Sequence, residues 1–207
     1  MARRVYLFNP PDRFIAGTVG EPGNRTFFLQ GRDGARVVSV SLEKVQVAAM
    51  ADRLGRLLVE LDERGIVELE PTVPVEDVGP LDEPLSEAFR AGTLTLGWDG
   101  DIGRVIIEAQ AMTDADELET DDDDEVDDDD EIDDDATMAA AIEQMLTADD
   151  VDGPDILRVH LSATQARSFV ERANRVVRSG RLPCPLCGNP LDPQGHICPR
   201  RNGQYVN

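Results

Sequence analysis

The sequence has little lysine, few aromatic residues and no long apolar run. Lys44 is the only lysine and aromatic residues make up 4% of the chain. A membrane-spanning helix needs about 18 or more consecutive apolar residues, and no such run occurs. The apolar stretch Val5 to Phe8 near the start is too short for the core of a secretory signal peptide. We therefore expect a cytoplasmic protein with no membrane partner.

Motifs that carry common enzyme chemistry are also missing. The sequence contains neither a phosphate-binding G-x-x-x-x-G-K-[ST] loop nor a G-x-S-x-G nucleophile turn. Gly17, Gly20 and Gly23 follow a predicted strand but lead into another strand, whereas a nucleotide-binding loop leads into a helix. We predict no catalytic residue and no organic cofactor, which leaves the enzyme question uncertain and favours a non-enzyme.

The negative charge is concentrated in one segment. The chain carries a formal charge of −22, of which Asp114 to Asp135 contributes 17 acidic residues and no basic one. Carboxylates at such density repel one another, so residues 114–136 are predicted to be a disordered acidic segment. From Leu157 onward arginines outnumber acids, but the overall charge and the scarcity of aromatic residues disfavour nucleic acid as a partner.

Strand-like runs dominate the first half, and each is bounded by proline or glycine. The predicted strands are Val5 to Phe8, Phe14 to Val19, Thr26 to Gln30, Arg36 to Leu42, Thr93 to Trp98 and Arg104 to Met112. The first four are expected to form an antiparallel meander, with a tight turn at Asp33-Gly34. Because four prolines punctuate residues 65–92, we expect an irregular connection there.

Two amphipathic helices are predicted. Val47 to Leu61 has apolar residues at helical spacing, and Ser162 to Ser179 has a second stripe preceded by the strand Asp155 to Leu161. Ser162 and Gln165 form a capping-box pattern and Gly180 is the expected C-cap. A short helix is also expected within residues 137–146.

These elements predict an α+β fold with antiparallel strands, two helices packed on the sheet, the acidic insertion and a small zinc-binding hairpin. The expected organisation is 1–113, the β-rich first part of the core; 114–136, the acidic segment; 137–180, a short helix and the strand-helix unit that completes the core; and 181–207, the zinc-binding tail. An offset of 119 residues aligns the apolar positions of the two strand-helix units. This alignment indicates either an internal repeat or the similarity that any two such units show.

The three cysteines all lie near the C-terminus, beside a histidine. Cys184, Cys187, His196 and Cys198 have the spacing C-x2-C-x8-H-x-C, which suits a tetrahedral zinc ion, and Gly188 relieves the tight turn after the first pair. Three thiolates and one imidazole fill the coordination sphere, so the sequence predicts one structural Zn²⁺ per chain. His160 lies within a predicted strand, and we interpret it as a hydrogen-bonded structural residue.

The chain resembles an actinobacterial family of uncharacterised proteins. The resemblance rests on the opening Arg4-Val-Tyr-Leu-Phe-Asn-Pro-Pro, on Phe27-Phe-Leu-Gln, and on the stretch from Leu161 to the cysteine motif. Members are often encoded near a phosphatidylinositol-kinase-like protein and a histidine-phosphatase-like protein, which implies a kinase-like or phosphatase-like protein partner. We expect a zinc-binding, non-catalytic adaptor. The alternative is an enzyme or enzyme subunit that acts on a phosphorylated or nucleotide substrate together with the kinase-like partner.

Overall fold

A computed structural model describes residues 3–69, 77–113, 153–179 and Leu186. The predicted acidic segment 114–136, the short helix within 137–146 and, apart from Leu186, the tail 181–207 lie outside the described residues. Within the described ranges, no helix is both long enough and apolar enough to cross a membrane.

In the ranges that the structure describes, seven strands form one sheet and two helices pack on it. The strands are β1 (Val5–Phe8), β2 (Arg13–Val19), β3 (Thr26–Asp33), β4 (Arg36–Leu42), β5 (Glu87–Asp99), β6 (Arg104–Ala111) and β7 (Ile156–Leu161). The helices are α1 (Lys44–Glu63) and α2 (Ala163–Arg178). The strand order is β1-β7-β6-β5-β4-β3-β2. The predicted α+β class with two sheet-packed helices is confirmed.

Six of the seven strands form two equivalent halves, to which β1 is added at the edge beside β7. The first half is the antiparallel set β2-β3-β4 followed by α1, and the second is β5-β6-β7 followed by α2. In the first half Leu29 lies opposite Ala16 and Val40, and in the second half Ile107 lies opposite Leu96 and Val159. Val40 and Val159 are 119 residues apart, the offset seen in the sequence. The arrangement supports the repeat interpretation.

The predicted meander of the first four strands is wrong for β1. This strand pairs in parallel with β7, where Val5 lies opposite Ile156 and Phe8 opposite Val159. Only β2, β3 and β4 form the meander. Since the partner of β1 lies about 150 residues away in the chain, no local pattern could reveal this pairing.

The irregular connection ends earlier than predicted. β5 begins at Glu87 rather than Thr93, and its first residues pair in parallel with β4, where Ser39 lies opposite Glu87 and Ser41 opposite Arg90. The last proline of the connection is Pro84. After it every residue has a backbone N–H to donate to a neighbouring strand, so pairing can begin at once.

Both helices begin with the same capping arrangement. In α1 the backbone N–H of Glu43 donates to the side chain of Gln46, and in α2 the N–H of Ser162 donates to Gln165. Each glutamine amide also donates to the other half of the molecule, Gln46 to the carbonyl of Gly92 at 2.7 Å and Gln165 to that of Pro11 at 3.0 Å. The predicted capping box at Ser162 is confirmed, and the C-cap of α2 is Ser179.

The main core lies between the helices and one face of the sheet, called here the helix face. Phe14 of β2 stacks on Phe169 of α2, with ring centroids 4.9 Å apart. Leu54 of α1 and Val40 of β4 are fully buried in the same cluster. Side chains at alternate strand positions point to the opposite face, called here the far face.

Candidate functional site

The predicted zinc ligands Cys184, Cys187, His196 and Cys198 lie outside the described residues, so their arrangement remains a prediction. Leu186, between the first two cysteines, is described and is 51% exposed. In the described ranges, no three His, Cys, Asp or Glu residues lie close enough together to hold a metal ion.

The most extensive polar network holds residues 77–82, called here the first strap. This segment follows α1 and the connection, and it lies against β2 at the edge of the sheet. Arg13 of β2 donates to both carboxylate oxygens of Asp77, at 2.6 and 2.8 Å, and to Asp82 at 2.7 Å. It also donates to the carbonyls of Gly79 and Pro80. One arginine therefore holds five acceptors of the first strap.

Arg172 binds the same strap from the helix side. Its guanidinium donates to the carbonyl of Ala16 at 2.8 Å, to the carbonyl and carboxylate of Asp77 at 2.6 and 2.8 Å, and to the carbonyl of Gly79 at 2.7 Å. The residue is only 6% exposed. Arg172 is one of the arginines that outnumber acids from Leu157 onward, but it adds no charge to an exposed basic surface because its side chain is buried and bound.

The network shifts the pKa values of its own ionisable groups. The hydrogen bond from Arg13 is the main reason that the pKa of Asp77 lies below its ordinary value, and the same bond raises the pKa of Arg13. Burial lowers the pKa of Arg172, and the nearby Asp77 carboxylate opposes that shift. Both arginines already bind acceptors of this chain, so neither offers an open site to a phosphate.

Two further contacts fix the first strap on the far face. The amide of Gln30 accepts from the N–H of Asp82 at 2.7 Å and donates to its carbonyl at 3.0 Å. Leu81 lies directly over Gly17, because a Cβ built on that glycine would be 2.6 Å from Leu81 Cδ2. The glycine thus provides the socket that receives the leucine.

The far face of the second half carries a second polar group. Arg158 donates to Glu108 at 2.8 Å, and Glu108 is 1% exposed. His160 is 8% exposed, and in the part of the chain that is described its Nδ1 has no hydrogen-bond partner, so the expected hydrogen bond is not found at this nitrogen. Burial is the main cause that lowers the pKa of His160, and the charge of Arg158 adds to it.

Described residues line several grooves on the surface. One of about 600 Å³ lies between α1 and α2, where Gly55, Val59 and Val170 meet charged side chains. Another of about 350 Å³ lies between α1 and β5 beside Arg53.

Sequence reasoning missed the strap network, although one signal for it was present. Arg172 follows Phe169 by three residues, which places it on the same face of α2 as the buried stripe. An arginine on a buried face requires acceptors. The acceptors lie about 95 residues earlier, at Asp77 and Gly79, and nothing in the local sequence points to them.

Comparison with known proteins identifies a family for this chain. A family model described as "Protein of unknown function (DUF3090)" matches residues 6–198. No curated protein and no solved structure matches the chain.

Proposed function

We propose that this chain, which belongs to the DUF3090 family of proteins of unknown function, is a non-catalytic adaptor whose tail is held by one structural zinc ion. The observation that carries the proposal is the tail's donor set. The family match extends to residue 198, so it includes all four proposed ligands, Cys184, Cys187, His196 and Cys198.

The chemistry of this donor set fits zinc. Three thiolates and one imidazole are typical of closed structural sites, which have no open position for a reactive water. The two-residue gap between Cys184 and Cys187 lets both sulfurs reach one ion. A closed site of this kind stabilises a short segment that has too little apolar surface to fold alone.

The tail begins at a firmly held point of the core. Ser179 ends α2, and its carbonyl and hydroxyl accept from Arg25 at 2.9 and 3.1 Å. Seven residues earlier Arg172 fixes the helix to β2 and the first strap. A segment that leaves such an anchor has a defined starting position, which suits the presentation of a surface to a protein partner.

Metal analysis tests the zinc. We expect about one Zn²⁺ per wild-type chain, and far less in Cys187→Ser because three ligands bind more weakly than four. Leu186→Ser is the matched control: it alters the neighbouring exposed side chain and should keep the metal. A wild-type content near zero, in protein never treated with chelator, would disprove the zinc site.

The adaptor role needs a separate test. The resemblance to an actinobacterial family suggests a kinase-like or phosphatase-like partner. Wild-type and Cys187→Ser chains can be used to isolate bound proteins from the native host. The adaptor proposal expects one of those two proteins with the wild type and its loss with Cys187→Ser. Equal recovery with both chains would show that the tail does not contribute to binding.

A further inference from the structure

The far face of the second half is buried, and the helices do not account for this burial. Gly97 of β5, Ile106 of β6 and His160 of β7 form one cross-strand row on this face, and all three are buried. The next row contains Glu108 and Arg158. Both helices pack on the opposite face, against residues such as Ile107 and Val159. Some other segment must therefore cover this face.

The first half shows what covers the corresponding surface. Its equivalent row is Gly17, Phe28 and Ser41, and the next row contains Gln30 and Ser39. The first strap lies there, with Leu81 over Gly17 and the backbone of Asp82 bonded to Gln30. Gly97 occupies the position of Gly17, so the second half has the same glycine socket.

The sequence contains a second copy of the strap sequence after α2, at an offset of 109 to 110 residues rather than the 119 residues that relate the two strand-helix units. Residues 73–84 read VPVEDVGPLDEP, and residues 182–193 read LPCPLCGNPLDP. One inserted residue, Asn189, and one omitted residue, Glu83, bring six identical pairs into register. These pairs are Pro74 and Pro183, Gly79 and Gly188, Pro80 and Pro190, Leu81 and Leu191, Asp82 and Asp192, and Pro84 and Pro193. Each copy follows the helix of its own half.

We propose that residues 182–193 form a second strap, which lies across the far face of β5, β6 and β7 with Leu191 over Gly97. The strap brings the backbone of Asp192 to Glu108 and Arg158, as that of Asp82 meets Gln30. The proposal does not depend on zinc, but the four predicted ligands lie within and just after this segment, so a bound ion would clamp the strap.

The chain is long enough for this path. Leu191 lies 13 residues after Arg178, the last residue of α2. An extended chain spans up to about 3.3 Å per residue, which allows a reach of roughly 40 Å. In the first half, 18 residues separate the end of α1 from Leu81, so the two connections are of comparable length.

The accessibility of His160 in the full-length protein measures whether the strap is docked. The imidazole can be modified with diethyl pyrocarbonate and the modified peptide quantified by mass spectrometry. We expect slow modification of His160 in the wild type and at least about ten-fold faster modification in Leu191→Asp. Leu186→Asp is the matched control, because it places the same charge at an exposed position of the tail and should stay within about two-fold of wild type.

Several results would overturn the proposal. One is equal His160 reactivity in wild type and Leu191→Asp, and another is equal acceleration in both aspartate variants. A third is protection that is lost on dilution, which would show that the strap comes from a second copy of the chain. Gly97→Val gives an independent check, since a side chain in the socket should also accelerate modification. Zinc content measured on the same samples separates the strap proposal from the zinc proposal. If His160 is protected in wild-type protein that contains no zinc, the strap proposal holds and the zinc proposal fails.

Discussion

Asp77 shows how a single side chain joins three parts of the molecule. It accepts from Arg13 of β2 and from Arg172 of α2, while its own carbonyl accepts a further bond from Arg172. Exposed ion pairs contribute about 0–1 kcal/mol to stability, whereas removal of one partner costs more when it leaves a buried charge without its counter-charge. Arg172 is such a charge, since it is 6% exposed.

We predict that Asp77→Ala lowers the free energy of unfolding by about 2 kcal/mol at pH 7. This is below the 3–5 kcal/mol typical of fully buried pairs, because 32% of the Asp77 side chain is exposed. Chemical denaturation measures the change. Asp52→Ala, which removes an exposed pair with Arg56, is the control and should cost less than about 0.5 kcal/mol.

The difference in unfolding free energy between wild type and Asp77→Ala should depend on pH. The folded protein lowers the pKa of Asp77, so this carboxylate stabilises the fold at any pH above its unfolded pKa of about 3.9. The stabilisation is lost as the pH falls through the lower, folded pKa. The difference between wild type and Asp77→Ala should therefore shrink in acid, and a difference that grew in acid would contradict the assigned role.

At the level of elements, local patterns were enough to predict β2, β3, β4, β6, β7 and both helices to within a few residues. They failed where structure depends on distant partners. β1 pairs with β7, and the start of β5 pairs with β4, and both are parallel pairings between segments far apart in sequence. Arg172 is a similar case, because a charged residue on a helix is ordinarily exposed. The predicted metal ligands lie outside the described residues, so they remain a prediction.

We predict that α2 is part of one cooperative unit with the first half. Phe169 is 1% exposed and stacks on Phe14, so Phe169→Ala should lower stability by about 3–5 kcal/mol and shift the melting of the whole protein. Val59→Ala, at an exposed position of α1, should have little effect. Thermal melting followed by circular dichroism tests this. Two transitions, of which only one shifts, would show that the halves unfold independently.

At the level of the whole molecule, the acidic segment lies in sequence between β6 and β7, and these two strands are paired directly by hydrogen bonds. Ala111 at the end of β6 donates its N–H to the carbonyl of Asp155 at 2.7 Å, so the chain leaves and rejoins the sheet at adjacent points. In the first half the same position is occupied by the turn at Asp33 and Gly34. A segment attached in this way can change in length with little effect on the sheet.

We predict that deletion of residues 114–135 leaves the melting temperature and zinc content nearly unchanged. It should increase salt-sensitive retention on heparin, because a tethered polyanion no longer competes for the remaining basic surface. Arg172 does not belong to that surface, whereas Arg178 is exposed. Unchanged retention on heparin would indicate that the segment is only a spacer. Loss of folding would show that it is part of the core.

The difference between the two strand connections also sets an order of folding. The turn between β3 and β4 brings its strands together over two residues, whereas 44 residues separate the ends of β6 and β7. Each doubling of loop length costs about 0.6 kcal/mol in closure entropy, which gives a difference of roughly 2–3 kcal/mol between the connections. The β3-β4 hairpin can therefore form early and locally. β7 can join only after a long chain closes, so β7 and α2 should assemble on strands that have already paired.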